Sequence, residues 1–144
     1  LLNEVLENIL IKNSNEDTIL KIIKNYKNKI LYRNLDDIND IIAIKKVGRM
    51  PETYKNIPAH VSLAIKRKEK GEFFYTSMKV PFIVISENPL KIIHKNDFVN
   101  KYDEKYYWVK QVYPPTLRLL KVVFPKYNWK KYLSGNNLEQ SMLF

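Results

Sequence analysis

Side chains that can bind phosphate are concentrated just before the middle of the chain. Lys45, Lys46 and Arg49 supply three cations around Gly48, where the missing side chain lets backbone N–H groups approach an anion. Tyr54 follows, and its ring can lie along a sugar. Together these residue types provide the chemistry of contact with a nucleic-acid backbone.

A second group of cations stands at the end of a predicted helix. Pro58 in the first turn and Gly71 after the last periodic residue bracket this helix in the usual order. Its last turn carries Lys66, Arg67 and Lys68. Cations at that end also stabilise the helix dipole, so the cluster has a structural explanation beside phosphate contact.

The overall composition favours an anionic partner. Lysine and arginine total 25 against 15 acidic residues, which gives a net charge of +10. A polyanion such as nucleic acid is favoured over solubility alone as the reason. The chain has no cysteine, which excludes disulfides and thiolate metal sites and fits an intracellular protein. Its apolar runs are far shorter than the ~20 residues of a membrane span.

Other residues could support different chemistry. Asp36, Asp37 and Asp40 form a D-D-x-x-D pattern that could hold Mg²⁺ against a diphosphate. Since the motif occurs once and on a short predicted helix, capping and solvation are favoured. His60 and His94 lack carboxylates at metal-ligand spacing, which favours a hydrogen-bonded role for His60. The glycines are too dispersed for a phosphate-binding loop.

Apolar periodicity predicts two helices at the N-terminus. The first covers residues 2–10, and the second begins at a capping box formed by Ser14 and Asp17 and extends to Ile30. The polar side of the second helix carries a row of lysines: Lys21, Lys24, Lys27 and Lys29. Such a row favours a solvated face, with phosphate contact as the alternative.

The rest of the chain predicts a small sheet and a helical end. Asn34 caps a short turn over residues 35–38, and a strand is predicted at 41–47. Further strands are predicted at 73–76, 80–85 and 90–94. Pro81 predicts an edge position, and Pro114-Pro115 predict two pieces or a kink in the last long helix. A closing helix is expected at 127–133. The fold class is therefore α+β.

Aromatic residues cluster at the start of that last long helix. They are Tyr106, Tyr107, Trp108 and Tyr113. Stacking on nucleobases is one interpretation. Packing in the core is favoured, because the same helix carries hydrophobic periodicity.

Residues 102–120 resemble the last conserved helix of family B DNA polymerases. The family pattern is YD-x-x-YY-x-x-x-Q-hydrophobic-x-P followed by Arg-hydrophobic-Leu, and the chain reads YDEKYYWVKQVYPPTLRLL. A second block matches upstream, and Lys79 stands at the basic position of the family's R-V-P-Y-V-I strand. The matching residues of that block are Leu35, Asp36, Asp37, Lys45, Lys46, Arg49, Tyr54, Pro58, His60 and Val61. Gly48 and Pro51 depart from the family pattern.

The resemblance implies the thumb, the part of the polymerase that grips newly made duplex. Its expected architecture is α+β, with N-terminal helices beside the palm, a small antiparallel sheet and a C-terminal helical region. Residues 1–133 would form this domain and residues 134–144 a flexible tail. The residues expected to contact DNA are Lys45, Lys46, Arg49, Tyr54, Lys66, Arg67, Lys68 and Lys79.

The resemblance also implies what the chain lacks. The metal-binding aspartates of nucleotidyl transfer lie upstream in the family's palm, and the exonuclease and fingers motifs are missing. We therefore expect no catalytic residue and no metal in this chain, inactivity alone, and Mg²⁺ in the palm of the complete polymerase. Expected partners are primer–template DNA and the rest of the polymerase, in the cytoplasm or nucleus and away from membranes. Since the sequence begins at Leu1, we expect a piece of a longer protein or a processed product.

The last residues resemble a peptide that docks on a sliding clamp. Gln140 would reach a polar pocket, and Met142, Leu143 and Phe144 would fill an apolar one. The alternative is an apolar turn that folds back on the domain. A different function also stays open at this point: a stand-alone nucleic-acid-binding or clamp-adaptor protein without polymerase activity.

Overall fold

The computed structural model describes residues 1–133. They divide into two compact units: unit 1 contains Leu1–Asp36 and the chain from Glu104 onward, and unit 2 contains Asp37–Asp103. Helices and one antiparallel sheet make up the described residues, which confirms the α+β class. The predicted clamp peptide, Gln140, Met142, Leu143 and Phe144, lies outside the described residues.

Unit 1 begins with helices α1 (Leu2–Leu10) and α2 (Glu16–Leu31). Both are amphipathic, and the side chains of Val5, Ile19 and Ile23 are completely buried. The predicted N-cap of α2 is wrong by one residue. Asn15 is the cap, and its side chain accepts the Thr18 N–H at 3.0 Å. Ser14 instead donates its hydroxyl to Asn8 Oδ1 at 3.2 Å, an acceptor that only the folded α1 presents.

The C-terminal part of unit 1 is one helical run with a change of hydrogen-bond pattern. A short α4 (Glu104–Tyr106) leads into a π-helical segment (Tyr107–Val112) and then α5 (Tyr113–Val123). The N–H of Tyr113 donates to the carbonyl five residues back, at Trp108. The run therefore continues through Pro114 and Pro115, which lie in the first turn of α5. Where two pieces or a kink were predicted, the helix changes to the wider π-type hydrogen bonding just before the prolines. Helix α6 (Trp129–Leu133) begins two residues later than predicted.

Aromatic packing in unit 1 confirms the prediction of a core role. Tyr107 and Trp108 are buried, and the Trp108 ring keeps only 1% of its surface exposed. Tyr106 meets Tyr107 edge to face at 5.1 Å between ring centroids, and Trp108 packs 6.2 Å from Tyr113. Core packing therefore holds for Tyr107 and Trp108, whereas Tyr106 and Tyr113 are half-buried beside them.

Unit 2 contains a three-stranded antiparallel sheet in the order β1-β2-β3. The strands are β1 (Ala43–Lys46), β2 (Lys79–Ser86) and β3 (Lys91–His94). The strand predicted at 73–76 is wrong: this segment is a loop, and Phe73 is 88% exposed. The chain turns there, because the Met78 N–H donates to the Tyr75 carbonyl and Ser77 adopts a left-handed φ of 68°.

Pro81 lies in the central strand, so the prediction of an edge strand is wrong for β2 as a whole. Pairing with β3 ends at Phe82, which faces His94. At Pro81 the strand therefore has a neighbour only on the β1 side, where Ile44 is its partner. This local edge is the place in a central strand that tolerates a residue without an N–H.

Helix α3 (Ala59–Glu69) packs on this sheet, with Pro58 as its N-cap residue. A small aliphatic cluster lies between them, formed by Val47, Val61, Ala64 and Val80. The helix ends in a Schellman motif, in which Gly71 N–H donates to Lys68 O and Glu72 N–H to Arg67 O. Gly71 has a φ of 97°, the conformation this motif requires at that position.

Short 3₁₀ helices complete unit 2 at Ile38–Ile41, Pro51–Thr53 and Lys95–Asp97. The first is capped by Asp37, which accepts the Asn39 N–H at 3.0 Å, so the helical turn lies three residues later than predicted. Asp36 forms an ion pair with Lys29 at 2.6 Å within unit 1. Asp37 thus has the capping role that the sequence favours over Mg²⁺ binding, and Asp36 has an ion pair that was not predicted.

Candidate nucleic-acid interface

Two lysines face each other at the end of the sheet in unit 2. The register of β1 and β2 places Lys46 directly opposite Lys79, and both side chains are exposed. Opposed residues of an antiparallel pair lie on the same face, with Cβ atoms about 4.5–5.5 Å apart. Like charges at that spacing repel each other, and a bound anion removes the repulsion. We call Lys46 and Lys79 the lysine pair.

Lys45 belongs to the same end of the sheet but to its other face. Its partner across the ladder is Val80, which is buried in the aliphatic cluster under α3. Since successive side chains of a strand alternate between faces, Lys45 and Lys46 point to opposite sides. The consecutive cations of the sequence therefore do not form one row.

The loop after β1 holds Arg49 through Tyr54. The Arg49 N–H donates to the Tyr54 hydroxyl at 3.0 Å, and the guanidinium lies 4.7 Å from the centre of the tyrosine ring. The ring itself is half-buried against the aliphatic cluster. Tyr54 is therefore positioned to orient Arg49, and the cation–π contact fixes the guanidinium over the ring without removing its charge.

His60 attaches the start of α3 to the end of β1. Its Nε2–H donates to the Lys46 carbonyl at 2.9 Å, which assigns the proton to that nitrogen. This confirms the hydrogen-bonded role favoured by the sequence. The contact fixes the backbone of Lys46 and so contributes to the position of the lysine pair.

The run Lys66, Arg67 and Lys68 is separated by the geometry of α3, because successive residues of a helix differ by about 100° in direction. Lys66 and Lys68 are exposed. The Arg67 side chain is only 13% exposed and lies between two carboxylates. It donates to Glu72 through Nε at 2.6 Å and again through Nη2, and to Asp97 Oδ2 at 2.8 Å through Nη1.

The carboxylates around Arg67 are residues that the sequence interpretation missed. The signal was present in Gly71, because a Schellman motif returns the chain after the glycine toward the last helical turn and brings Glu72 beside Arg67. The hydrogen bonds that Arg67 donates to Glu72 lower the pKa of Glu72 and raise the pKa of Arg67. Phosphate contact by Arg67 stays a prediction, and in this structure its guanidinium is engaged by protein carboxylates.

His94 lies near the same ion-pair group. Its Nδ1 accepts the Asn96 N–H at 3.1 Å, which caps the 3₁₀ helix that carries Asp97. Burial lowers the pKa of His94, and the charge of Arg67 lowers it further. Both effects favour the neutral imidazole, and the hydrogen bond from Asn96 requires that Nδ1 carry no proton.

Lys66 stands on one side of a groove between α3 and the strands β2 and β3. The groove has a volume of about 480 Å³. Its lining is mostly apolar and includes Leu63, Ile85, Leu90 and Ile92 beside the cations Lys66 and Lys91. Lys91 was not predicted as a site residue, since it lies in a strand with no cationic neighbour in sequence.

All eight predicted DNA contacts thus lie in unit 2, in separate local environments. The sheet end carries Lys45, Lys46 and Lys79, the adjoining loop carries Arg49 and Tyr54, and the end of α3 carries Lys66, Arg67 and Lys68. Within residues 1–133, no group of three histidine or acidic side chains could hold a metal ion. In the same range, no helix is long and apolar enough to cross a membrane.

The lysines of α2 in unit 1 are held differently. Lys27 is buried, with its ammonium 5.7 Å from the centre of the Trp108 ring, so the predicted solvated row is wrong at this position. Burial, and then the charge of Lys24, lowers the pKa of Lys27. Lys24 itself lies 5.9 Å from the ring of Tyr132.

Comparison with known proteins points to one group of enzymes. No family model matches the chain. A DNA polymerase of Archaeoglobus fulgidus is 24% identical over 137 residues, covering 81% of this chain and 17% of the relative. A DNA polymerase of Pyrococcus horikoshii is 29% identical over 123 residues, covering 81% of this chain and 10% of the relative. The chain therefore spans less than a fifth of the curated relatives it matches.

A solved structure agrees with these relatives. The family B DNA polymerase of Pyrobaculum calidifontis superposes with a TM-score of 0.61 and 23% identity, covering 83% of this chain and 17% of that polymerase. The fold of this chain is thus the fold of a segment of a family B polymerase. The resemblance to family B DNA polymerases that the sequence motifs indicate is confirmed over most of the chain.

Proposed function

We propose that this chain is the thumb portion or a small subunit of a family B DNA-directed DNA polymerase, and that it grips the primer–template duplex during replication. The carrying observation is the lysine pair, Lys46 and Lys79, on a fold shared with such a polymerase. Two cations fixed opposite each other on a rigid sheet bind phosphate oxygens without reading bases. That property suits a polymerase, which must hold every sequence it copies.

The other predicted contacts add charge elsewhere in unit 2. Arg49, oriented by Tyr54, supplies a cation in the loop after β1, and Lys45, Lys66 and Lys68 are exposed cations of the other sheet face and of α3. Arg67 contributes through its ion pairs, which fix the end of α3. A direct contact between Arg67 and phosphate is predicted from the sequence alone. Binding by such a surface is independent of sequence and depends steeply on salt.

In the complete polymerase, nucleotidyl transfer would depend on carboxylates and Mg²⁺ in a palm supplied by another part of the parent chain or by a separate large subunit. This chain contributes no residue to that chemistry and is inactive alone. Its role is to keep the primer end in place while the reaction occurs, wherever in the cell the DNA is replicated. The expected partners are the palm, fingers and exonuclease regions.

Salt-dependent binding of duplex DNA tests the proposal. We expect K46A/K79A to reduce the slope of log affinity against log salt concentration by about 1.8, since each lost phosphate contact removes about 0.9. The matched control is K12A/K126A, which removes the same charge from exposed positions in unit 1. Equal slopes for the two double variants would contradict a specific role of the lysine pair.

The tail is proposed to bind a sliding clamp through Gln140, Met142, Leu143 and Phe144. Burial of each apolar side chain contributes about 1.5–3 kcal/mol before ordering costs, enough for micromolar binding by a short peptide. Deleting residues 140–144 should abolish binding to the cognate clamp in surface plasmon resonance and leave thermal stability unchanged. A fall in stability with unchanged clamp binding would contradict the tether and favour a tail that packs on the domain.

A stand-alone nucleic-acid-binding or clamp-adaptor protein is the alternative function. Purification from the native source under mild conditions separates the two. A larger parent protein, or a large subunit that copurifies, supports the thumb. A chain of this size that copurifies only with nucleic acid or a clamp supports the alternative.

A further inference from the structure

Two exposed aromatic side chains lie in the loop between α3 and β2. Phe73 is 88% exposed and Tyr75 is 59% exposed. Phe74, between them, packs against the aliphatic cluster of unit 2. The buried ring anchors the loop, and its two neighbours extend into solvent. Single exposed apolar residues are ordinary on protein surfaces, but two large rings within three residues on an anchored loop form a local apolar surface.

This loop adjoins the lysine pair. The Tyr75 carbonyl accepts the Met78 N–H at 3.3 Å in a turn, which keeps the α-carbons of these residues within about 7 Å. Two bonds then join the end of the turn to the chain after β1: Ser77 N–H to Val47 O at 2.7 Å, and Val47 N–H to Met78 O at 2.9 Å. Lys79 follows at once, so Tyr75 and the lysine pair border the same end of the sheet.

We propose that Phe73 and Tyr75 contact unpaired nucleobases, and that the chain prefers a duplex with a single-stranded extension over a blunt duplex. The inference rests on the proposed function, because the lysine pair supplies the phosphate contact beside the rings. Aromatic rings stack on the face of any base, and this contact tolerates every sequence. Within a duplex those faces are covered by neighbouring base pairs, so the rings recognise bases outside the paired region.

The charge of the surroundings selects this partner over a protein. The loop begins after Glu72, whose carboxylate is neutralised by its ion pair with Arg67, and leads directly into Lys79, which faces Lys46. Neither lysine of the pair has a carboxylate opposite it in the sheet. Aromatic rings beside such cations form the usual surface for a single strand, with bases on the rings and phosphates on the lysines.

Fluorescence anisotropy with the full chain tests the preference. The probes are a labelled blunt duplex and the same duplex with a single-stranded extension. We expect F73A/Y75A to lose about 5-fold or more in affinity for the extended duplex for each stacked base. Affinity for the blunt duplex and the salt slope should stay unchanged, because no charge is removed. F73Y/Y75F keeps both rings and should keep the preference, and the control Y32A removes from unit 1 a ring that is about as exposed as that of Tyr75.

Photocrosslinking of the wild-type chain gives a direct readout. 5-Iodouracil placed in the extension should crosslink to the peptide that contains Phe73 and Tyr75, whereas the same base within the duplex should not. This measurement decides the proposal even if the double variant does not fold. An unchanged preference in a folded F73A/Y75A, or crosslinks elsewhere only, would overturn it and favour a protein contact for the two rings. Failure of the proposed function looks different, since wild-type binding of duplex would then lack salt dependence.

Discussion

The two units of this protein hold their lysine side chains in different ways. In unit 1, Lys27 is buried beside Trp108, and Lys24 lies near the ring of Tyr132. In unit 2, Lys46 and Lys79 are exposed at the end of a sheet. Both units contain runs of lysines in sequence. The comparison teaches that the direction of the side chain, set by the element that carries it, decides whether a cation is available to a partner.

The cores of the units also differ, in the side chains that they bury. The largest completely buried side chains of unit 1 include Trp108 and Trp129. Unit 2 completely buries one large ring, that of Tyr102, and its other buried side chains are mostly aliphatic, such as Val47, Val61 and Ile83. The ion pairs of Arg67 hold the end of α3 in addition. Mutations should therefore affect stability most in unit 1 and DNA binding most in unit 2.

The largest effect is expected from W108A. Removing a buried tryptophan leaves a cavity and should lower the free energy of unfolding by about 3–5 kcal/mol, as measured by urea denaturation. Under conditions where the variant is folded, the salt slope of DNA binding should match the wild type. The control Y32A removes an exposed ring and should change stability little. A loss below about 1 kcal/mol would contradict the central packing role of Trp108.

R67M comes next, because it keeps the stem of the side chain and removes the bonds to Glu72 and Asp97. We expect the melting temperature to fall by about 2–4 °C, a modest change since both carboxylates are half-exposed. The lowered pKa of Glu72 means that its pairing stabilises the fold above the ordinary pKa of a glutamate and is lost as pH falls through the lowered value. R67M should therefore lose less stability on acidification than the wild type.

The same variant sharpens the division between binding and positioning. If Arg67 acts only through its ion pairs, R67M leaves the salt slope of DNA binding unchanged. A slope reduced by about 0.9 would instead indicate that Arg67 releases its carboxylates and binds a phosphate. K68A is the matched control. It removes an exposed cation from the same helix that is not bonded to Glu72 or Asp97.

Y54L should have a smaller effect, on affinity. The cation–π contact with Arg49 contributes about 0.5–1 kcal/mol, so its loss should weaken duplex binding by about 2- to 5-fold with an unchanged salt slope. Y54F keeps the ring and removes only the acceptor of the Arg49 N–H, so most of the affinity should remain. If Y54L binds like the wild type while R49A does not, the ring has no positioning role.

K27M should have the smallest effect, visible mainly in the pH dependence of unfolding. The pKa of Lys27 is lowered by burial and by Lys24, so the folded state disfavours its charged form. Raising pH from the lowered pKa toward the ordinary value near 10.5 should therefore stabilise the wild type relative to K27M. Chemical denaturation of both proteins between pH 7 and 10.5 measures the difference. Parallel curves would mean that Lys27 titrates as in the unfolded chain.

Local patterns predicted most elements of the fold, and their failures have physical causes. Helices α1 and α3 begin and end where periodicity, Pro58 and Gly71 indicate. The strand predicted at 73–76 is a loop, in which Phe74 packs against the core and its neighbours are exposed. β-propensity does not distinguish an apolar loop residue that packs in this way from a strand residue. Likewise, no local signal distinguishes Asn15 from Ser14 as the cap of α2, since the competing acceptor lies in α1.

The sequence by itself predicted the class of partner and the residue types proposed to bind it. Charge, the Tyr102–Leu120 motif and the cations between residues 45 and 79 are properties of the chain that need no fold. Only the tertiary structure decided which cations act together. Strand register brought Lys46 opposite Lys79 across 33 positions of sequence, and the return of the chain at Gly71 placed Arg67 between two carboxylates. Electrostatic interactions depend on distance in space, and spacing along a chain fixes that distance only within a single helix or strand.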